Sequence, residues 1–466
     1  MADIFYESDW GELHYVVRSD VRGIYSYFVT TNIGEVAEFR TLYRMDGNIF
    51  RNGYNAEGFG PFPTLSEIKN VTKLQDETWT LQNGKDYTKY NWATYVAEDR
   101  VHGVYGNGHG VWVITSSHEY FNGGPMKQEL MVHIESSTGD GVVLNMLSAS
   151  HFGPPPVKIP NGKVYGPWLL YFNDGTAADA EKVAKAEANE WPYKWLSNPN
   201  YPLSRSTVSG TLKLSDNRSA SEAMVVLAKP GGDVYSQGTD YVFYSKADSS
   251  GSFSIPNVRS GTYSLYAYST GGTIADITDQ FVKDGIKVDG SKTDIGSLTW
   301  SPPHYSHFLW QIGIADRKAS ELNLGNVPRM YGLYKKVPAN LTYTIGKSNS
   351  RDDWYYAQTQ EGVWIINFNL NKTYTGTAHL TVAIAGQARN VSVELDINGH
   401  TIGSLPSYPN DGSIYRSVIS SGYYHLSTHT FPASQLKSGT NSLSFNAFNV
   451  SEGGGRMYDT IKLEVD

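Results

Sequence analysis

Asp248-Ser249-Ser250-Gly251-Ser252-Phe253-Ser254-Ile255-Pro256-Asn257-Val258-Arg259-Ser260-Gly261-Thr262-Tyr263-Ser264-Leu265 is the stretch that decides the fold. Apolar residues alternate along it with small polar ones, and Gly251 and Gly261 punctuate the run. Alternation of period two around tight turns marks half-buried antiparallel strands. A segment of about 90 residues with this texture is the size of a small two-sheet sandwich. We place that domain at 203–300, between the linker Ser197-Asn198-Pro199-Asn200-Tyr201-Pro202 and the break at Trp300-Ser301-Pro302-Pro303.

The rest of the chain reads the same way. Residues 1–175 carry short alternating segments such as Leu13–Val17, Gly23–Val29 and Gly110–Ile114, the signals of a large sheet assembly. One helix is expected, from Thr176 to about Trp195, where Ala, Glu and Lys dominate and Pro192 disturbs its end. It closes a first module at 1–202. Residues 301–466 give many short strands, the pattern of a β-sandwich or jelly roll. The 466 residues therefore predict an all-β chain of three modules.

Composition narrows the function. The formal charge of −8 is spread without a basic stripe, which argues against a nucleic-acid partner. No apolar run approaches membrane-spanning length, which argues against a membrane partner. There is no cysteine, so metal sites would have to use oxygen or histidine ligands. Met1-Ala2-Asp3-Ile4-Phe5-Tyr6 lacks the charged start and apolar stretch of a signal peptide. Six Asn-x-Ser/Thr sequons, at Asn70, Asn217, Asn340, Asn371, Asn390 and Asn449, permit a secretory route at about the frequency chance gives.

Chemistry concentrates in two neighbouring segments of the first module. One is Phe121-Asn122-Gly123-Gly124-Pro125-Met126-Lys127-Gln128-Glu129-Leu130. The other runs from Ser148-Ala149-Ser150-His151-Phe152-Gly153 to Lys163-Val164-Tyr165-Gly166-Pro167-Trp168-Leu169-Leu170-Tyr171-Phe172-Asn173. Glycines admit close backbone approach, and Lys, His and Tyr move protons. Read locally, Lys127 serves equally well as a solvated lysine guarding a strand edge.

These segments resemble the rhamnogalacturonan lyases of polysaccharide lyase family 4, whose plant-type members carry a Gly-Gly-Pro-x-Lys-Gln turn, a Ser-x-His-(Tyr/Phe) and a Gly-Pro-hydrophobic-hydrophobic-Tyr strand. Gly251 to Leu265 is similar to the family's fibronectin type III-like module. Phe308-Leu309-Trp310-Gln311-Ile312-Gly313-Ile314-Ala315-Asp316-Arg317, Asp353–Gln358 and Met457–Glu464 are similar to its carbohydrate-binding-like module. The resemblance covers nearly the whole chain in order. It implies a secreted, extracellular endolyase that cleaves rhamnogalacturonan I by β-elimination. No cofactor is required; oxygen ligands in the third module allow a structural calcium, though no loop shows a recognisable calcium spacing. A monomer is expected. By the same resemblance the first module begins roughly a hundred residues late, which is expected to expose an edge, open the substrate groove or abolish activity.

Elimination needs a cation on the uronate carboxylate, a base for the C5 proton and an acid for the departing oxygen. The resemblance implies Lys127 as base and Arg40, in Glu38-Phe39-Arg40, as the carboxylate-binding arginine. For the acid, His151 ranks first and Tyr165, where the fungal branch has a histidine, second. Two other readings compete: a noncatalytic carbohydrate-binding protein, and a glycoside hydrolase. The hydrolase would need a convergent carboxylate pair that Glu119, Glu129, Glu135 and Asp140 do not offer from sequence.

Overall fold

The computed structural model describes residues 1–466, and three β-sandwiches follow one another along the chain. In the first, eight strands form one sheet in the order Ala2–Ser8, Gly11–Val17, Gly23–Thr30, Val164–Asn173, His109–Thr115, Val101–Gly106, Asn52–Asn55 and Gly58–Pro61. The facing sheet is smaller, with Gly141–Ala149 between Val132–Ile134 and Glu38–Met45. Alternation divides the side chains between two cores. Val113 and Leu170 point between the sheets, while Trp112, Ile114, Leu169 and Tyr171 point the other way, onto Ala180 and Ala184 of the helix. Ala2–Ser8 is exposed at every residue and leaves an open sheet edge.

The helix spans Ala177–Glu190, shorter than the expected reach to Trp195. Pro192 disfavours helical backbone at the residue before it, and Trp191 is accordingly extended. The segment that follows is pinned rather than loose: Tyr201 is buried, and its hydroxyl accepts the Tyr193 amide at 2.9 Å.

In the second sandwich a sheet of Ser252–Val258, Ser206–Leu214 and Lys292–Trp300 faces one of Phe243–Lys246, Met224–Ala228, Gly261–Tyr268 and Phe281–Val288. Phe253, Ile255, Val258, Tyr263 and Leu265 enter its core. The alternation is broken once, at Asn257. There φ is 57°, and a bulge between Ser206 and Val208 absorbs the extra residue, so Val258 turns inward again. Gly261–Tyr268 is buried on both faces, because Tyr266 and Tyr268 pack in a cluster that also holds Tyr95 and Met126 of the first module. The third sandwich pairs two five-stranded sheets, one built on Thr377–Ala388 and Gly455–Val465, the other on Gly362–Leu370 and Gly439–Phe448.

The three sandwiches meet around residues 122–130. Gly123 donates its amide to the Gln237 carbonyl of the second at 2.7 Å. The Gln128 amide group donates to the Ser421 carbonyl of the third at 2.8 Å. Beside this junction Glu119 is clamped by Arg205 at 2.7 Å and Arg259 at 2.9 Å, all three buried. The segment singled out for chemistry is therefore tied to backbone carbonyls of both other modules.

Candidate active site

Two successive left-handed residues, Gly123 (φ 83°) and Gly124 (φ 60°), lead into a single 3-10 turn, Gly124–Met126, with Pro125 near its start. Only residues without a Cβ take this path cheaply; at Gly123 a Cβ would also meet Pro154 at 2.8 Å. The turn delivers Lys127 to the head of the strand Gln128–Leu130. Alternation then sends Lys127 and Glu129 to one side and Gln128 to the other, towards the third module.

Lys127 is completely enclosed. Its Nζ donates to Asn122 Oδ1 at 2.6 Å, the Ala149 carbonyl at 3.0 Å and Glu129 Oε1 at 3.3 Å, and its exposure is 0%. Three acceptors match the three hydrogens of an ammonium. Burial pulls its pKa below the usual lysine range, opposed by the charges of Glu129 and Glu38. A base must reach the proton it takes, and this amine touches nothing but protein. The assignment of Lys127 as the substrate-contacting base does not fit this geometry, in which the ammonium is bonded to Asn122, Glu129 and the Ala149 carbonyl.

Glu129 is equally buried and serves two partners. Its Oε2 lies 2.7 Å from His151 Nδ1, and its Oε1 accepts the His151 amide at 3.3 Å. Burial alone would raise its pKa, but Lys127 and His151 hold it down at about 2, so it is a carboxylate at neutral pH. A carboxylate on Nδ1 keeps the proton there and leaves Nε2 free to accept or, in the imidazolium, to donate. His151 is the member of the trio that reaches outward, with 12% of its side chain exposed.

Around the neighbouring Tyr90 ring the structure gathers groups that the sequence reading missed. His151 lies 6.2 Å from its centroid, the Lys89 ammonium 5.3 Å and the Arg416 guanidinium 5.0 Å. Arg416 comes from the third module and donates to the His151 carbonyl, closing the loop that carries the imidazole. Lys89 pairs with Asp76 at 2.8 Å and keeps 13% of its side chain exposed. The signal for Lys89 was present in Asp86-Tyr87-Thr88-Lys89-Tyr90-Asn91-Trp92, a lysine set among aromatic rings. Nothing in the sequence ties Arg416 to His151.

Arg40 stands on the outer face of Glu38–Met45, ion-paired with Glu38 and 39% exposed. Across the same small sheet lies His133, whose Nδ1 donates to the Ile134 carbonyl at 2.7 Å. Burial, with the cations of Lys89 and Arg40 in support, pushes His133 down to about 4. Arg40 and Lys89 thus share one electrostatic neighbourhood. Tyr165 does not belong to it. The ring is sealed in the core against Phe39 and Tyr120, with 0% exposure, and burial drives its hydroxyl well above the usual phenol range. It is corrected from candidate acid to core residue, because an inward position on Val164–Asn173 points between the sheets. No group of three His, Asp or Glu side chains converges as a metal-ligand set, in the third module or elsewhere.

Comparison with known proteins follows the same three-part order. Residues 10–191 match the model described as rhamnogalacturonan lyase B, N-terminal. Residues 204–295 match polysaccharide lyase family 4, domain II, and residues 308–463 match domain III. A rhamnogalacturonate lyase of Dickeya dadantii is 39% identical over 97% of this chain and 78% of its own length. A probable rhamnogalacturonate lyase B of Aspergillus terreus is 26% identical over 94% of this chain and 78% of its own. A probable rhamnogalacturonate lyase C of Emericella nidulans is 27% identical over 93% of this chain and 49% of its own. Matched module by module, and at 39% identity to a relative of which it covers 78%, the chain belongs to polysaccharide lyase family 4.

Proposed function

We propose that this chain is a rhamnogalacturonan I endolyase that works as a monomer outside the cell, on cell-wall pectin. The observation that carries the reading is the convergence of Lys89, Arg416 and the carboxylate-backed His151 on the single Tyr90 ring. That set supplies what an elimination on a uronate requires. Arg416, with Arg40, neutralises the sugar carboxylate so that charge can build at C5. Lys89, its ammonium having passed a proton to the paired Asp76, takes the C5 proton. The electron pair forms the C4–C5 double bond, the bond from C4 to the bridging oxygen breaks, and His151 returns a proton to the departing rhamnose. Glu129 and Lys127 act behind the imidazole, by fixing its tautomer and orientation.

The test is incubation with rhamnogalacturonan I while following the ultraviolet absorbance of the unsaturated product. Absorbance should rise for the unmodified chain and be lost in Lys89→Ala and His151→Ala. Retained polymer binding without absorbance would instead identify a noncatalytic carbohydrate-binding protein. Saturated reducing ends would point to hydrolysis.

A further inference from the structure

Next to the cluster of Tyr90, Ala93, Phe152 and Ile419, and lined in part by Ile419, a cavity of about 640 Å³ opens between the first and third modules. Its volume lies within the range of about 300–1,000 Å³ usual for small-ligand sites. Both modules build its walls. The first contributes Trp92, Tyr95 and the hairpin tip bearing Phe59, and the third contributes Lys318 and Arg329. Neither Lys127 nor His151 lines it.

Three features of the lining point to one kind of ligand. Phe59 is 75% exposed, an aromatic face at the mouth that no side chain covers. Lys318 places its ammonium 4.4 Å from the Tyr95 ring and forms no ion pair, whereas the other cation, Arg329, is spent on Glu57 at 2.8 Å and Gln128 at 2.7 Å. Glu98 also lines the cavity without a side-chain partner, an acceptor for hydroxyl groups. Ring faces for sugar rings, a free cation for a carboxylate and a free carboxylate for hydroxyls are complementary to a chain that alternates acidic and neutral sugars.

We propose that this cleft is a second binding site, for a uronate-bearing oligosaccharide segment of the polymer, separate from the Tyr90 site. The choice of a pectic ligand rests on the function proposed above, while the existence of a second saccharide site does not. A ligand held here bridges both modules. It also bears on Gln128, which joins Lys127 to Glu129 and accepts from Arg329.

Titration calorimetry on the Lys89→Met chain, with a rhamnogalacturonan I hexasaccharide as probe, tests the cleft without cleavage. Two equivalents should bind. Adding Phe59→Ala and Lys318→Met should leave one, with the lost site weakened roughly tenfold or more. In the cleaving background the same pair should retain turnover of the hexasaccharide. Phe59→Ala alone, at an exposed position, guards against a folding defect and should weaken the second site by itself. One equivalent in every variant, or two unchanged, overturns the proposal. If the unmodified chain gives no unsaturated product yet two equivalents fall to one, the lyase reading fails and the cleft stands.

Discussion

The two lysines near the site make opposite demands when removed, and Lys127→Met beside Lys89→Met separates them. Lys127 and Glu129 are both 0% exposed, and the ammonium satisfies a carboxylate, an amide oxygen and a backbone carbonyl. Deleting one partner of a buried ion pair costs about 3–5 kcal/mol, because the other charge is left without water. His151 still faces Glu129, which argues for about 3 kcal/mol, the lower end. Lys89 pairs with an Asp76 whose side chain is 62% exposed, an interaction of about 0.2–1 kcal/mol. Its removal should leave unfolding nearly unchanged while turnover falls about 10²–10⁴-fold, the usual contribution of a positioned proton-transfer group. Urea unfolding followed by the earliest transition, with initial rates of absorbance change on rhamnogalacturonan I, reads both quantities. A Lys127→Met chain that unfolds like the unmodified one yet shows no turnover would return the base role to Lys127. Normal turnover in Lys89→Met would remove it from Lys89.

The same charges carry pH and substrate dependences. Glu129 titrates at about 2 folded against an ordinary 4.5, so the folded state releases its proton more readily. The resulting stability is full above about pH 4.5 and lost as pH falls towards 2, by at most about 3 kcal/mol; acid unfolding of Glu129→Gln should lack that component. Lys163 lies buried with its ammonium 2.6 Å from the Gly238 carbonyl, and burial lowers it to about 7. Between pH 7 and its ordinary 10.5 the unfolded chain binds more protons, so stability should rise with pH there by up to about 1.4 kcal/mol per unit, and Lys163→Met should abolish the rise in denaturant titrations at pH 7.5 and 9. Arg416→Ala should lower kcat/KM roughly ten- to a hundredfold, the usual worth of a hydrogen bond to a charged group, as measured by initial rates across polymer concentrations.

What the sequence disclosed was set by how local the determining interaction is. Phe253, Ile255, Tyr263 and Leu265 could be placed in a core because strand period alone decides which face they take. Asn257 could not, since its bulge depends on the register against Ser206 and Val208. His151 was legible as a proton-transfer candidate, but its partner Glu129, 22 residues earlier, was passed over among the acids of the module. Lys127 and Tyr165 were misread for one reason: residue type and a glycine-rich turn signal reactivity, whereas burial decides whether the group can be reached. Both lie at 0% exposure, which no local pattern specifies. Arg416 stands 265 residues from the carbonyl it caps, so only tertiary structure pairs them.

That distance is also the physical reason for a site at the junction rather than within one sandwich. The first module alone supplies Lys89, Glu129 and His151, but it leaves the His151 loop without its cap and the Gln128 side chain without a partner. The second module fixes Gly123 through the Gln237 carbonyl, and with it the turn that aims Lys127 at Glu129. The third fixes Gln128 through Ser421 and the imidazole loop through Arg416. A proton-transfer group displaced by about 1 Å loses on the order of a hundredfold in rate, and here the supports that prevent such displacement come from all three modules. On the proposed assignment the second and third sandwiches are part of the reaction centre, and loosening either contact should reduce turnover before it reduces affinity for the polymer.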